Sequence, residues 1–572
     1  MILPIQSRPL YSAVLIAVAG AAVSTPGAAA ALIEERGLSA YVQGRHAASA
    51  GDMDRAATLF EQALGVSPGD VHLLESTFET AMIAGDRDLA TGAARQLARL
   101  GKYDSAVGTV LFVDALTKRR YEDALAEVQR LEESGFGSFM APILRAWTLE
   151  ADGETSKAFA ALNEGGSSGL PDSYADEHRG HLALQNGDRM AAVDHYLALL
   201  GADTDGRNWR SRILLAEAYQ RLRQNDFALQ TLEPAPGAPD VLRARERIER
   251  GKRIDEVPGS PRAAVSQLLM RLAADLSSNR RVPLAMVFAR AATWADGDNA
   301  RAWLLSSQLL AQADQYEEAL VAAQAIADDD MYDSISRAQT AAILEELERR
   351  DEALTMLEAA AQSADADART LVLLGEGYQR AERFEAAAGA FEAALSRDIS
   401  DEQLRWQTLF LLGAAQEQMG DFAASEVSLR AALAIEPDQP TVLNYLGYML
   451  LDRNEKVPEA IDLIERAHAA EPQNGHITDS LGWAQYKQGD YETAVETLEE
   501  AVASVPGDPT INDHLGDAYW QVGRRLEARF RWRAALDAEP DAALREQIET
   551  KLSYGLDTAL AMMADDERGA RQ

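Results

Sequence analysis

The residues with the clearest chemical potential in this chain are three histidines. His178 and His181 stand one helical turn apart in the run DEHRGH, and His195 follows on what reads as the partner helix. Helical i, i+3 spacing can bring two imidazoles to one ion, but zinc sites use three or four protein ligands and no further ligand is evident. Packed or solvated histidines are the better account. The chain has no cysteine, which removes disulfides, thiolate metal sites and a cysteine nucleophile. There is no P-loop, no HExxH, no GxSxG elbow and no strand leading into a Gly-rich turn. The GEG at Gly375 to Gly377 sits inside an apolar helical run, where packing explains it. With 91 Asp and Glu against 55 Lys and Arg, paired carboxylates occur everywhere and say nothing about acid–base catalysis. The formal charge of −36 also argues against nucleic acid, because no basic excess exists to neutralise phosphates. No catalytic residue, metal or cofactor is expected.

The elements that position these side chains are repeats. In PTINDHLGDAYWQVGRRLEARFRWRAALDAEP, Leu515-Gly516, Tyr519, Gly523, Ala528, Trp532, Ala535 and Pro540 stand at the spacings of a tetratricopeptide repeat (TPR). The preceding copies put their Leu-Gly pairs at 412–413, 446–447 and 481–482, and close with Pro437, Pro472 and Pro506. A glycine in helix A and a small residue in helix B let two antiparallel backbones approach, and proline ends helix B. One such hairpin cannot bury its own apolar face, so neighbours must stack. The small residue that opens helix B recurs every 34 residues, at Ala56, Ala90, Ala124, Ala158 and Ala192, and again at Ala285, Ala319, Ala353 and Ala387. The expected fold is all-α, a TPR superhelical solenoid of about fourteen helical hairpins in two arrays with a C-terminal capping helix.

Five segments follow from the rhythm. Residues 1–30 read as a secretory signal peptide, with Arg8, the apolar run AVLIAVAGAAV and small residues near Ala30. That run is too short to span a bilayer, so no membrane span is expected in the mature chain and the expected location is the periplasm. Residues 39–232 form the first array. Residues 233–262, opening with EPAPGAPD and closing with VPGSP, break the pattern. They mark either a boundary, as hinge or rigid elbow, or a long loop with one incomplete repeat. Residues 263–547 form the second array with its capping helix, and 548–572 a helix end and disordered tail.

Binding is where the sequence is more informative. Counting from the Leu-Gly pairs, helix A residues off the packing face are Asn444 and Tyr448, then His476, Asp479, Trp483 and Tyr486, then Asp513, Asp517 and Trp520. Large aromatics beside hydrogen-bonding groups suit capture of an extended peptide or a partner helix. The alternative is that Trp483 and Trp520 pack between hairpins. Some tetratricopeptide domains clamp C-terminal carboxylates with Lys and Asn at such positions; Asp479, Asp513 and Asp517 would repel a carboxylate. The basic run GRRLEARFRWR falls on the last helix B, where pairing with nearby Glu and Asp accounts for it better than an acidic partner.

The runs NYLGYMLLDRN, GHITDSLGWAQYKQGDYETAVETLEEAV and PGDPTINDHLGDAYWQVGRRLEARFRWRAAL resemble the C-terminal repeats of secreted or lipid-anchored proteobacterial tetratricopeptide proteins. The likeness extends over about residues 263–540. It implies a periplasmic adaptor that binds a carboxy-terminal processing protease and presents murein hydrolases to it, although the anchoring cysteine of the lipoprotein members is absent. The expected function is therefore a non-enzymatic periplasmic scaffold whose partners are proteins, such as that protease and its substrates. The alternative is an accessory module of an envelope assembly or polysaccharide export machine.

Overall fold

The computed structural model describes residues 26–562 except 136, 165–171, 202–208, 234–238, 279–281, 327–331, 364–365, 398 and 400. Most of the expected signal peptide and the end of the expected tail lie outside the described residues. Those described are helices and their connections, with no strand among them. They divide into two compact units, Met1–Tyr332 and Asp333–Gln572. Both are built from antiparallel hairpins of a helix A and a helix B. Six run from Pro26–Ser49 with Met53–Val66 to Trp209–Arg221 with Asn225–Leu232. Eight more run from Pro261–Ser278 with Val282–Ala295 to Pro509–Gln521 with Arg525–Asp537. This is an all-α TPR solenoid.

The small residue that opens helix B is the pivot of every hairpin. Ala56, Ala90, Ala124, Ala158, Ala192, Ala228, Ala285, Ala319, Ala353 and Ala387 are wholly buried, as are Ser425, Ala460, Ala494 and Ala528 in the copies that follow. Facing them, helix A often carries a glycine against a large helix B side chain. A Cβ on Gly375 would lie 2.4 Å from Phe391, and one on Gly516 2.5 Å from Trp532. Phe391 and Trp532 are themselves wholly buried, and truncating such a residue to alanine costs about 3–5 kcal/mol.

Each A-to-B turn among the described residues has a residue in the left-handed region, next to the N–H groups that close the helix end. Glycine supplies it at Gly85, Gly187, Gly420, Gly489 and Gly523. Where glycine is missing, Arg119, Arg223, Asp314, Glu348, Glu382 and Asn454 adopt it instead, with φ from 53° to 63°. The closing bond survives: Asp86 N–H donates to Ala81 O at 2.9 Å, and Arg120 N–H to Ala115 O at 2.9 Å. A non-glycine residue here costs about 1–2 kcal/mol, which the packing of the hairpin outweighs. That explains how middle repeats without a glycine keep the same turn.

In the first unit, the hairpin Pro261–Ser278 with Val282–Ala295 is laid across the A helices of the second to sixth hairpins. Arg290 donates to Met82 O (3.2 Å) and Ile83 O (2.6 Å) at the end of Val71–Ala84. Farther along, Asp275 accepts from Tyr174, and Arg271 pairs with Glu177. The side that the A helices share is thus occupied by the chain itself.

The interrupted segment 233–262 lies inside this unit, whose limit falls at Tyr332. Its helix Pro239–Glu249 places Val241, Ala244 and Ile248 in one apolar cluster with Ile213, Ala216, Ala228 and Leu232. The stretch after it is held through its backbone. Glu217 Oε2 accepts from Glu256 N–H (2.7 Å) and Val257 N–H (2.8 Å), and Gln220 Oε1 from Ile254 N–H (3.0 Å).

The second unit holds six hairpins and then the helix Ala542–Tyr554. That helix buries Ile548 and Lys551 against the last hairpin, so it covers the end of the array as a capping helix must.

Candidate partner-binding groove

Three successive A helices of the second unit carry the groove residues: Pro440–Asp452, Gly475–Gln488 and Pro509–Gln521. Their starts are fixed locally. Gln439, Asn474 and Asp508 accept from the backbone N–H of Thr441, His476 and Ile511, which satisfies otherwise orphaned donors. With the helix starts set, the i, i+4 spacing of 444/448, 479/483 and 513/517 puts each pair on one face.

Five of these residues meet in one cluster. Trp483 stacks on Tyr486, with ring centroids 4.6 Å apart and planes at 5°, and on His514 at 4.0 Å and 11°. His514 Nδ1 lies 3.0 Å from both oxygens of Asp479. Lys551 Nζ donates to Asp513 at 2.6 Å and to Asp517 at 2.8 Å, and Asp517 also accepts from Trp532 Nε1 at 2.9 Å. Asp479, Asp513, Asp517, His514 and Lys551 are all buried. Burial and then Asp513 push the Asp517 carboxyl up to about 7. Burial alone would lower the His514 imidazole, but Asp479, Asp513 and Asp517 hold it above its usual range. Lys551 is likewise raised by its two aspartates against the pull of burial. Tyr448 sits beside the cluster, its phenol raised by burial and then by Asp479, Asp452 and Asp513.

The other residues are placed differently. His476 is exposed, 3.8 Å from Asp508. Trp520 turns toward the chain end: its Nε1 donates to Asp557 at 3.1 Å, and its ring is 5.5 Å from Trp532. Asn444 is half-buried on the preceding helix. Around this face several buried polar atoms have no partner among the described residues: Asn444 Oδ1, Trp483 Nε1 and Asp513 Oδ1. Such atoms are rare in folded proteins and cost free energy when left unmet.

His514 and Lys551 are not among the groove positions that the repeat spacing gives. His514 lies between two of them, Asp513 and Asp517. Lys551 belongs to the terminal helix, one repeat period after Asp517; that spacing, and its place seven residues after the half-buried Leu544 and three after the buried Ile548, are its signals.

Of the three histidines His178, His181 and His195, the first two are packed. Trp147 Nε1 donates to His178 Nδ1 at 3.0 Å, and His181 Nδ1 is 2.7 Å from the Tyr196 hydroxyl. Burial, reinforced by His181, pulls His178 down to about 3. His195 is 3.3 Å from Asp176. No group of three candidate metal donors exists among the described residues. The basic run is mostly engaged: Arg524 with Glu527 and Glu499, Arg529 with Leu552 O, and Arg531 with Asn512. No described helix is long and apolar enough to cross a membrane.

Two family models, described as tetratricopeptide repeat and TPR repeat, match residues 372–440, 410–475 and 482–523. The chain is similar to a TPR repeat-containing protein of Pseudomonas aeruginosa, 33% identical over 170 residues, which is 30% of this chain and 28% of that protein. It is also similar to BBSome complex member bbs-4 of Caenorhabditis elegans, 26% identical over 25% of this chain and 30% of that one. The chain thus spans under a third of the length of either relative. Among solved structures, the Cut9-Hcn1 hetero-tetramer of APC/C has a TM-score of 0.36 at 13% identity, covering 92% of this chain and 98% of its own. MamA has a TM-score of 0.25 at 22% identity, covering 30% of this chain and 97% of its own. Repeats of this kind form protein–protein interaction scaffolds, typically without catalysis, and the chain carries them.

Proposed function

We propose that this chain is a non-enzymatic adaptor that captures an extended segment of a protein partner along the A helices of its second unit. The observation that carries the reading is the half-buried Trp483–Tyr486 stack on the second of the three A helices. Stacked rings give a flat apolar surface for the side chains of an extended peptide. We further propose that it works in the cell envelope, bringing a protease to cell-wall hydrolases. That part is supported by the signal-like N-terminus and by the resemblance of the last repeats.

Crosslinking and mass spectrometry on native envelopes test both parts. Trp483→Ala should remove the partner's crosslinks to residues 440–521, and Trp483→Phe should restore most of them. A central aromatic of this kind is worth at least about 2 kcal/mol, roughly thirtyfold in affinity. Crosslinks that survive Trp483→Ala and Trp520→Ala unchanged would remove the groove reading. Recovery of peptidoglycan or glycan in place of any protein would remove the protease part.

A further inference from the structure

A second site lies in the first unit, far in sequence from the groove residues. Asp114, on the helix Ser105–Thr117, is a buried carboxylate on which four cations converge. Arg95 and Arg120 reach its Oδ2 at 2.6 and 2.7 Å, Lys118 its Oδ1 at 2.7 Å, and Arg87 stands 4.0 Å away while also donating to Thr117. Burial alone would raise the Asp114 carboxyl, but Lys118, Arg95 and Arg120 overcome it and hold it below its ordinary value. Two of these cations, Arg95 and Arg120, face a cleft of about 330 Å³ between the second and third hairpins, whose lining holds four arginines against three carboxylates; its size is near the lower end of the range of ligand sites.

Arg95, Arg99, Arg120 and Arg130 line this cleft with Asp114, Asp123 and Glu127. The last two are already engaged, Asp123 by Arg120 at 2.7 Å and Glu127 by Arg130 at 3.2 Å. Arg99 is exposed and makes no ion pair among the described residues. Between the guanidinium groups lie the carbons of Ala98, Leu111, Ala115 and Ala126. This is a local cationic surface on a chain of net charge −36.

We propose that this cleft is a docking site for an acidic peptide segment of a protein partner, separate from the groove of the second unit. A glutamate or aspartate side chain matches it in both parts: a short apolar stem for the alanine and leucine carbons, and a carboxylate for the fork of a guanidinium. At physiological salt the screening length is about 8 Å. An approaching segment therefore senses these cations rather than the acidic surface as a whole.

The test uses the full chain and a fluorescein-labelled peptide of six glutamates, read by anisotropy, with a six-glutamine peptide as control. The glutamate peptide should bind and the control should not. The double variant Arg95→Gln/Arg99→Gln should weaken binding about tenfold. If that variant is unfolded by circular dichroism, Arg99→Gln alone carries the test and should still weaken binding. Equal binding of the two peptides, or affinity unchanged in a folded variant, overturns the proposal. Displacement by an equal concentration of inorganic phosphate also overturns it, because the cleft would then be a small-anion site.

Discussion

At their closing contacts the two units balance buried carboxylates differently. In the first, Glu177 is wholly buried and gripped by Arg210 and Arg271, with His178 and His181 neutral beside it. In the second, Asp479, Asp513 and Asp517 are buried together, and the cations that meet them are Lys551 and His514. The excess is cationic in one and anionic in the other. The way each is closed differs too. The first is closed by an inserted hairpin, 261–295, that supplies Arg271 to the A-helix side; the second is closed by the terminal helix, which supplies Lys551. A repeat array by itself thus does not determine what its A-helix side can bind. The segment that packs onto it decides how much of the surface remains and what charge it shows. In the first unit the inserted hairpin takes that side, and in the second the terminal helix covers the last repeat while Asn444, Tyr448 and Trp483 of the two repeats before it stay half-buried.

The largest effect should come from Lys551→Met. Removing the cation from two buried aspartates leaves an uncompensated charge, at a cost of about 3–5 kcal/mol. Protonation of Asp517, whose carboxyl already titrates near 7, should relieve part of this, so the loss should be greater at pH 8 than at pH 6. Hydrogen exchange read by mass spectrometry should localise the lost protection to residues 509–562. Equal loss at both pH values would contradict a cluster held mainly by Lys551.

Arg271→Met should cost less, about 2 kcal/mol, because the buried Glu177 keeps a second charge-assisted bond from Arg210. A loss as large as that of Lys551→Met would mean that the two closures are equivalent. Gly180→Ala should follow. Its Cβ would lie 2.4 Å from the Tyr196 ring, and overpacking of this kind costs about 1–3 kcal/mol. It should also shift the Tyr196 hydroxyl away from His181, visible as a change in the His181 imidazole resonances.

The smallest effect, and the most telling for the comparison, is on pH. His178 and His181 are lowered by burial, so the unfolded chain takes up protons that the folded first unit refuses. Its stability should fall as pH drops below about 6.5, and Glu177, held low by its arginines against burial, adds to the loss below about 4.5. Glu217 and Glu318, raised by burial, flatten the slope. In the second unit Asp517 and His514 are both raised. The folded form keeps protons that the unfolded chain releases, and stability should fall as pH rises through about 7. Each group alone tilts stability by at most about 1.4 kcal/mol per pH unit. Unit-resolved hydrogen exchange between pH 5 and 8 should show opposite slopes, and His514→Gln should flatten the second. Parallel slopes would remove the contrast.

The sequence by itself determined the hairpin. A small residue at a period of 34, a glycine or small partner on helix A and an acidic or polar N-cap are local requirements, so Ala56, Ala90 and their successors could be read as buried before any contact was known. Even the turns were legible, Asn454 included, except where Arg119, Glu348 and Glu382 take a left-handed conformation that their propensity does not favour. There the hairpin's packing overrides the residue's preference. The groove residues were legible as positions on a face, because helical geometry fixes faces.

What only the tertiary structure decided is which of those faces stay open and with what charge. Lys551 lies 34 residues beyond Asp517, and Arg271 lies 94 beyond Glu177. The first separation is one repeat, because Ala542–Tyr554 takes the next A-helix place 33 residues after Pro509–Gln521; what the period does not show is that a lysine there is buried against two aspartates. The second has no relation to the repeat, and contacts of that kind come from how stacked hairpins curve back on one another. That curvature accumulates from small rotations at every interface, none of which is written in any single repeat.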